Sequence, residues 1–176
     1  MRHILILPGN SSKNLAWEEL MLSTFGGLFD SAYLHSYSHW KSGNANIDFV
    51  AEEAALKAHI RTLPAGAEVV IFAKSAGSLL AFQIIHHGVV VPAQCVFFGI
   101  PFDLAADDIF KQSWEAIDTF ATPATAFHNL HDPTTSYDYT ASILAAHAPH
   151  ITLITTTELD HWYGDVDTYR NFLTLE

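Results

Sequence analysis

One cysteine, Cys95, among 176 residues excludes an intramolecular disulfide and any cysteine-based metal cluster. It sits in the apolar stretch QCVFFGI, where a thiol packs as a small hydrophobe. Basic residues are equally scarce: eight Lys and Arg, scattered singly, stand against 19 Asp and Glu, for a formal net charge of -11 at pH 7. That balance repels phosphate backbones and anionic lipid surfaces, so nucleic acid is not expected as a partner. No stretch reads as a membrane span. The apolar run in MRHILILPGN is shorter than a signal-peptide core and meets a Pro-Gly turn, so it is expected to be a strand of a cytoplasmic protein. Neither G-x-G-x-x-G nor G-x-x-x-x-G-K-[ST] follows any apolar run, which removes the case for a nucleotide cofactor. Eleven histidines are present, but none forms the H-E-x-x-H pair of zinc proteases and no Cys/His cluster occurs; no metal or other cofactor is expected.

What is abundant is core material. Hydrophobic residues make up 49% and charged residues only 15%, enough to fill one globular domain spanning 1–176. Short apolar or β-branched runs at 3–7, 32–37, 69–73, 94–99, 124–130 and 151–155 read as six strands. Helical spacing at 14–24, 47–63, 76–87, 104–120, 137–146 and 165–175 places a helix after each. Such alternation with nearly continuous apolar strands implies a mainly parallel, doubly wound sheet in a three-layer α/β/α sandwich. The stretch 102–122 is longer than a simple crossover and mixes aromatics with acids; a small lid over the strand ends and an ordinary crossover helix are both open readings.

In sheets of this kind ligands bind beyond the carboxyl ends of the strands, so the residues there carry the functional information. The third strand ends in AKSAG, with Ser75 between small residues and ahead of a helix. This matches the nucleophile elbow G-x-S-x-G with Ala73 at the first glycine, a turn sharp enough to lift a serine oxygen clear of the backbone. A helix N-terminus at the same place favours developing negative charge, and the Ala76 amide can point at an oxyanion. A serine here can equally be a plain N-cap, so the pattern gains weight only from residues at the later strand ends.

The fifth strand runs into FHNLHDPTTSYDY, with Asp132 in a Pro-containing turn, and the sixth into TTTELDHWYGD, with His161 before the last helix. Ser75, Asp132, His161 is the chain order nucleophile, acid, base, each from a different strand end. The chemistry needs all three, because a serine hydroxyl is a weak nucleophile until an imidazole oriented by a carboxylate removes its proton. Asp160 is a rival acid but adjoins His161, and Asp138 is a weaker substitute. The loop after the first strand, PGNSS, can supply a second oxyanion donor from the Asn10 amide or can simply be a turn. Lys74, beside the serine, is expected to be a solvated or salt-bridged surface lysine, with attraction of a substrate anion as the other reading. His128 and His131 are expected to be solvent-accessible turn residues, while Trp40, Trp162 and Tyr163 either line an acyl pocket or pack the rim.

With these residues in view, the chain resembles the α/β-hydrolase superfamily, and in particular its short serine hydrolases of the retinoblastoma-binding-protein type, which carry a similar PGN after the first strand. The resemblance runs from ILILPGN through AKSAGSLLAF and HDP to DHWYGD. It implies a minimal α/β-hydrolase fold and a cofactor-free hydrolase with Ser75 as nucleophile, His161 as base, Asp132 as orienting acid, and the amides of Asn10 and Ala76 as oxyanion hole. Ala73 in place of the first elbow glycine, Lys74 next to the serine and the short chain depart from the pattern; the missing length implies that leading antiparallel strands are absent and any cap is reduced. The expected substrate is a small acyl ester or thioester. Acyl transfer or amide cleavage on the same triad, and a binding scaffold that keeps the fold without catalysis, are the rival readings.

Overall fold

A computed structural model describes residues 1–106 and 114–172. Six strands form one sheet: β1 (Arg2–Leu7), β2 (Ser31–Leu34), β3 (Glu68–Lys74), β4 (Gln94–Phe98), β5 (Ala124–Asn129) and β6 (Thr152–Thr156). Their order is β2-β1-β3-β4-β5-β6, and every neighbouring pair is parallel. The central strands have apolar side chains on both faces, as a sheet covered on both sides requires. Leu5, Ile71, Ala73, Cys95, Phe97 and Ala126 join one core cluster, whereas Ile4, Ile6, Phe72, Val96, Phe98 and Phe127 join the other. The two-residue alternation of the strands thus feeds two separate cores.

On the first face lie α3 (Phe49–Ile60), α4 (Ala76–His86), α6 (Trp114–Asp118) and α7 (Tyr137–His147), contributing Leu56, Phe82, Ile117 and Leu144. On the second lie α1 (Leu15–Phe25) and α8 (Val166–Phe172), contributing Trp17, Met21, Phe25 and Tyr169. The short helices α2 (His39–Ser42) and α5 (Phe102–Ala106) and two 3-10 turns, Ser12–Asn14 and Gly26–Leu28, complete the described elements. Helix starts follow from side-chain acceptors: Asp48 caps the N–H groups of Val50 and Ala51 at 3.1 Å each, and Ser136 caps that of Tyr139 at 3.3 Å.

Two expectations need adjustment. The second strand ends at Leu34, not Tyr37. His35 still donates to the Ile6 carbonyl at 3.0 Å, but its ring is drawn to Glu52 at 2.9 Å, and the Tyr37 hydroxyl donates to the Pro8 carbonyl at 2.7 Å. The side chains that read as strand are used instead to pin the chain as it leaves the sheet edge. The helix expected over 104–120 is represented by α5 and α6, and the intervening 107–113, with the central part of the lid considered at 102–122, lies outside the described residues.

Candidate active site

The sharpest local feature is the corner between β3 and α4. Ser75 has φ 51° and ψ -124°, a region that costs a non-glycine residue about 1–3 kcal/mol and persists only where surrounding structure enforces it. That enforcement is visible. The Ser75 N–H donates to the Phe98 carbonyl at 2.9 Å, its carbonyl accepts from Ser78 at 2.8 Å, and Ser78 Oγ donates to the Ala73 carbonyl at 3.0 Å. Two residues on, Gly77 lies so close to β1 that an added Cβ would come within 2.5 Å of the Pro8 carbonyl oxygen and nearer still to that of Leu7. The elbow therefore needs a residue without a side chain at 77. Ser75 makes no side-chain cap bond, so the N–H groups of the first turn of α4, that of Ala76 included, are not spent on its hydroxyl.

Opposite this corner, the turns after β5 and β6 bring Asp132 and His161 together. His161 donates from Nδ1 to Asp132 Oδ2 at 2.7 Å, and the Tyr163 hydroxyl donates to the same oxygen at 2.6 Å. The other oxygen, Oδ1, accepts from the backbone N–H groups of Thr134 and Thr135 at 2.8 and 3.3 Å. The Asp132 carboxylate is buried, and burial pushes its pKa up, but the bonds from His161, Tyr163 and Thr134 outweigh this and hold it below the usual carboxylate value. An ionised Asp132 favours the proton on Nδ1 of His161, which leaves the Nε2 lone pair free to accept one. Nε2 is buried and, among the described residues, has no hydrogen-bond partner; the Ser75 hydroxyl is not bonded to it.

The loop carrying His161 is held from below. Asn129 donates from Nδ2 to the Asp160 carbonyl at 2.6 Å, its N–H donates to the Tyr163 hydroxyl at 3.2 Å, and its Oδ1 accepts from Thr156 Oγ1. Trp17 Nε1 donates to the Tyr163 carbonyl at 3.1 Å. Tyr163 is fully buried with φ 57°, and its ring lies so near Gly99 that a Cβ there would come 2.6 Å from Cε2. Tyr163 therefore supports Asp132 and does not line an acyl pocket. Asp160 accepts from the Trp162 N–H at 2.9 Å, which occupies it in its own turn, so His161 takes its carboxylate from Asp132. Asp138 lines a cleft of about 450 Å³ with Leu130, His131, Asp132, Ser136 and Tyr137.

Asn10 lies on the other side of the elbow. Its Oδ1 accepts from Ile47 at 2.9 Å and its Nδ2 donates to the Ala45 carbonyl at 3.0 Å, while its own carbonyl accepts from His39 Nε2 and Trp40 Nε1, both at 2.7 Å. Four bonds thus hold the side chain and the carbonyl of the residue whose N–H is the candidate donor. Beside it opens a polar cleft of about 290 Å³ lined in part by Asn10, Ser11, Ser12, Trp40 and Asn44.

Several residues stand elsewhere than the sequence suggested. Lys74 is buried, with 3% exposure, where a surface lysine was expected. His128 is fully buried under the Asp132 turn, donates from Nε2 to the Thr135 carbonyl at 3.3 Å, and has its pKa lowered by burial; His131 alone of the pair is exposed. Burial raises the Cys95 thiol far above its ordinary pKa, as for an inert core residue. Among the described residues no group of three or more His, Cys, Asp and Glu is placed to hold a metal ion, and no helix is long and apolar enough to cross a membrane.

No protein-family model and no curated protein sequence matches the chain. Solved structures match by fold. Est1E of Butyrivibrio proteoclasticus, in a structure with ferulic acid, gives a TM-score of 0.76 at 9% identity, with 98% of this chain and 88% of that one covered. Acyl-protein thioesterase 2 of Zea mays gives 0.63 at 16% identity over 98% of this chain and 92% of that one. The esterase domain of a Rhodothermus marinus protein gives 0.66 at 13% identity over 94% and 79%. The six-stranded parallel sheet with helices on both faces is the fold of α/β-superfamily hydrolases.

Proposed function

We propose that the protein is a serine hydrolase that cleaves a carboxylic ester or thioester through an acyl-enzyme, as the resemblance to short hydrolases of the retinoblastoma-binding-protein type implies. Ser75 Oγ attacks the acyl carbon as His161 Nε2 takes its proton. The resulting oxyanion accepts from the amides of Asn10 and Ala76. His161 then returns the proton to the departing alcohol or thiol, leaving the acyl group on Ser75. A water molecule, deprotonated by the same nitrogen, attacks the acyl-enzyme; collapse releases the carboxylic acid and restores the serine. Asp132 holds His161 in the required tautomer throughout, and no cofactor enters any step.

The observation that carries this reading is the φ of 51° at Ser75, a conformation a simple N-cap serine does not need. The partnerless Nε2 of His161 supports it from the other strand ends. Among the fold neighbours, an acyl-protein thioesterase and esterases accord with acyl chemistry. The rival reading, a binding scaffold on this fold, draws on the missing bond between Ser75 and His161; such bonds are often loose before substrate arrives. Hydrolysis of short-chain p-nitrophenyl esters and acyl thioesters by the wild type and Ser75→Ala decides between them. A burst of p-nitrophenol followed by steady turnover, lost in the variant, is expected; equal rates in both would leave the scaffold.

A further inference from the structure

Lys74 immediately precedes Ser75, yet its side chain is buried on the α1 side of the sheet rather than extended into solvent. Its ammonium donates to Asn14 Oδ1 at 2.6 Å and lies over two indoles, 5.8 Å from the Trp17 centroid and 5.1 Å from that of Trp162. Three segments meet at this cation. Asn14 donates from Nδ2 to the Ser11 carbonyl at 2.9 Å and packs on Gly9, where an added Cβ would come 2.9 Å from the same nitrogen. It therefore grips the backbone on both sides of Asn10. Trp162 follows His161 directly, and its ring folds over Gly164 so closely that a Cβ there would lie 2.6 Å from Cδ1. Burying a charge with one hydrogen bond and two aromatic faces is costly, and an apolar side chain of similar length would fill the slot without that cost.

We propose that Lys74 is a positioning residue whose ammonium ties the Asn10 loop, through Asn14, and the His161 loop, through Trp162, to the strand that carries Ser75. The inference rests on the acyl-enzyme reading above and adds a group that touches neither substrate nor the reacting atoms. The charge is what makes the tie, because a neutral amine is not drawn to the face of an indole. Burial brings the Lys74 pKa down to about 8, while Asp132 in the turn after β5 and Asp160 in the loop after β6 oppose the fall. The groups in contact with it from the α1 side, Asn14 just before the helix and Trp17 within it, are neutral. As pH rises through about 8 the proton leaves and the hold on Trp162 is lost, which loosens the His161 loop on the Trp162 side while the bonds of Asn129, Trp17 and Tyr163 remain. Glu18, also in α1, is raised by burial to about 8 and titrates in the same window, so the test must separate the two.

The rate of fluorophosphonate reaction at Ser75, with kcat and KM for p-nitrophenyl acetate, should be followed from about pH 6.5 to 10, across the Lys74 transition. Wild type is expected to lose rate above about pH 8, and Glu18→Gln to keep that limb. Lys74→Met is expected to be slower by about 10- to 100-fold in kcat with KM little changed, and to show no such limb. Lys74→Arg, whose charge persists at all these pH values, is expected to recover much of the rate and to carry it to higher pH. Should Lys74→Met fail to fold, Trp162→Leu, which removes only the bridge to the His161 loop, is expected to lower kcat and flatten the limb. A flat wild-type profile, or a Lys74→Met or Trp162→Leu profile that superimposes on the wild type, overturns the role of Lys74 while leaving the nucleophile intact. A wild type that never reacts at Ser75 at any pH overturns the acyl-enzyme reading itself and the inference with it.

Discussion

The Tyr163 hydroxyl donates to the very oxygen of Asp132, Oδ2, that His161 also engages, at 2.6 Å against 2.7 Å. The carboxylate thus has four donors around it and no solvent. Its orientation is set by Tyr163 and the Thr134–Thr135 backbone whether or not His161 is protonated.

Tyr163→Phe removes one of those donors and leaves the Asn129 N–H without its acceptor. A loss of about 1–3 kcal/mol of stability is expected, measured by urea unfolding at neutral pH. The Asp132 pKa should rise in the variant, a change read from the pH dependence of its carboxyl carbon resonance.

Asp132→Asn keeps the volume but presents an amide to Nδ1, which favours the wrong imidazole tautomer. Reaction of Ser75 with a fluorophosphonate should slow by about 10³-fold or more while the circular dichroism spectrum is retained. Loss of less than about tenfold would mean that His161 does not depend on this carboxylate.

Gly77→Ala would put a methyl group against the carbonyls of Leu7 and Pro8, backbone atoms at the end of β1, a strand paired on both sides. Overpacking of this kind costs about 1–3 kcal/mol, and here both elbow and Asn10 loop should shift. A lowered melting temperature together with impaired ester hydrolysis is the expected result.

Much of this arrangement was legible in the sequence, and the rest was not for physical reasons. β1, β3, β4 and β5 could be placed within a residue or two because Ile4 to Leu7, Val69 to Ala73, Cys95 to Phe98 and Ala124 to Phe127 are apolar on both faces. The approach of Asp132 to His161 was foreseeable from the parallel sheet alone, since both residues follow adjacent strands at the same end. Tyr163 under Asp132, Asn129 under Asp160 and Lys74 between Trp17 and Trp162 were not, because each depends on side chains meeting across distant segments. His128 reads as a solvent-accessible residue flanking the Asp132 turn, but it lies within β5 and is fully buried. The strand Ser31–Leu34 reads as longer than it is because Tyr37 has strand-like composition but spends its hydroxyl on Pro8.

The stability contributed by the buried histidines should fall in mild acid. Burial lowers the pKa values of His3, His35, His59 and His128 below the ordinary 6.5, with Glu52 opposing the effect at His35. The unfolded chain therefore binds protons at a higher pH than the folded one. The stability these groups contribute is present above about pH 6.5 and is lost as pH falls below it. Glu18, raised by burial to about 8, takes up a proton in the folded state over the same range and opposes this loss, so the histidine effect is read in Glu18→Gln, where a lower urea midpoint at about pH 5 than at about pH 7.5 is expected, with an unchanged slope.

The most direct test of the central claim is to incubate the folded wild type, Ser75→Ala and His161→Ala with a fluorophosphonate and to map the adduct by peptide mass spectrometry. The account requires a single adduct on Ser75 in the wild type, none in Ser75→Ala and a severe loss in His161→Ala. A folded wild type that carries no adduct, or carries it on another residue, would contradict it.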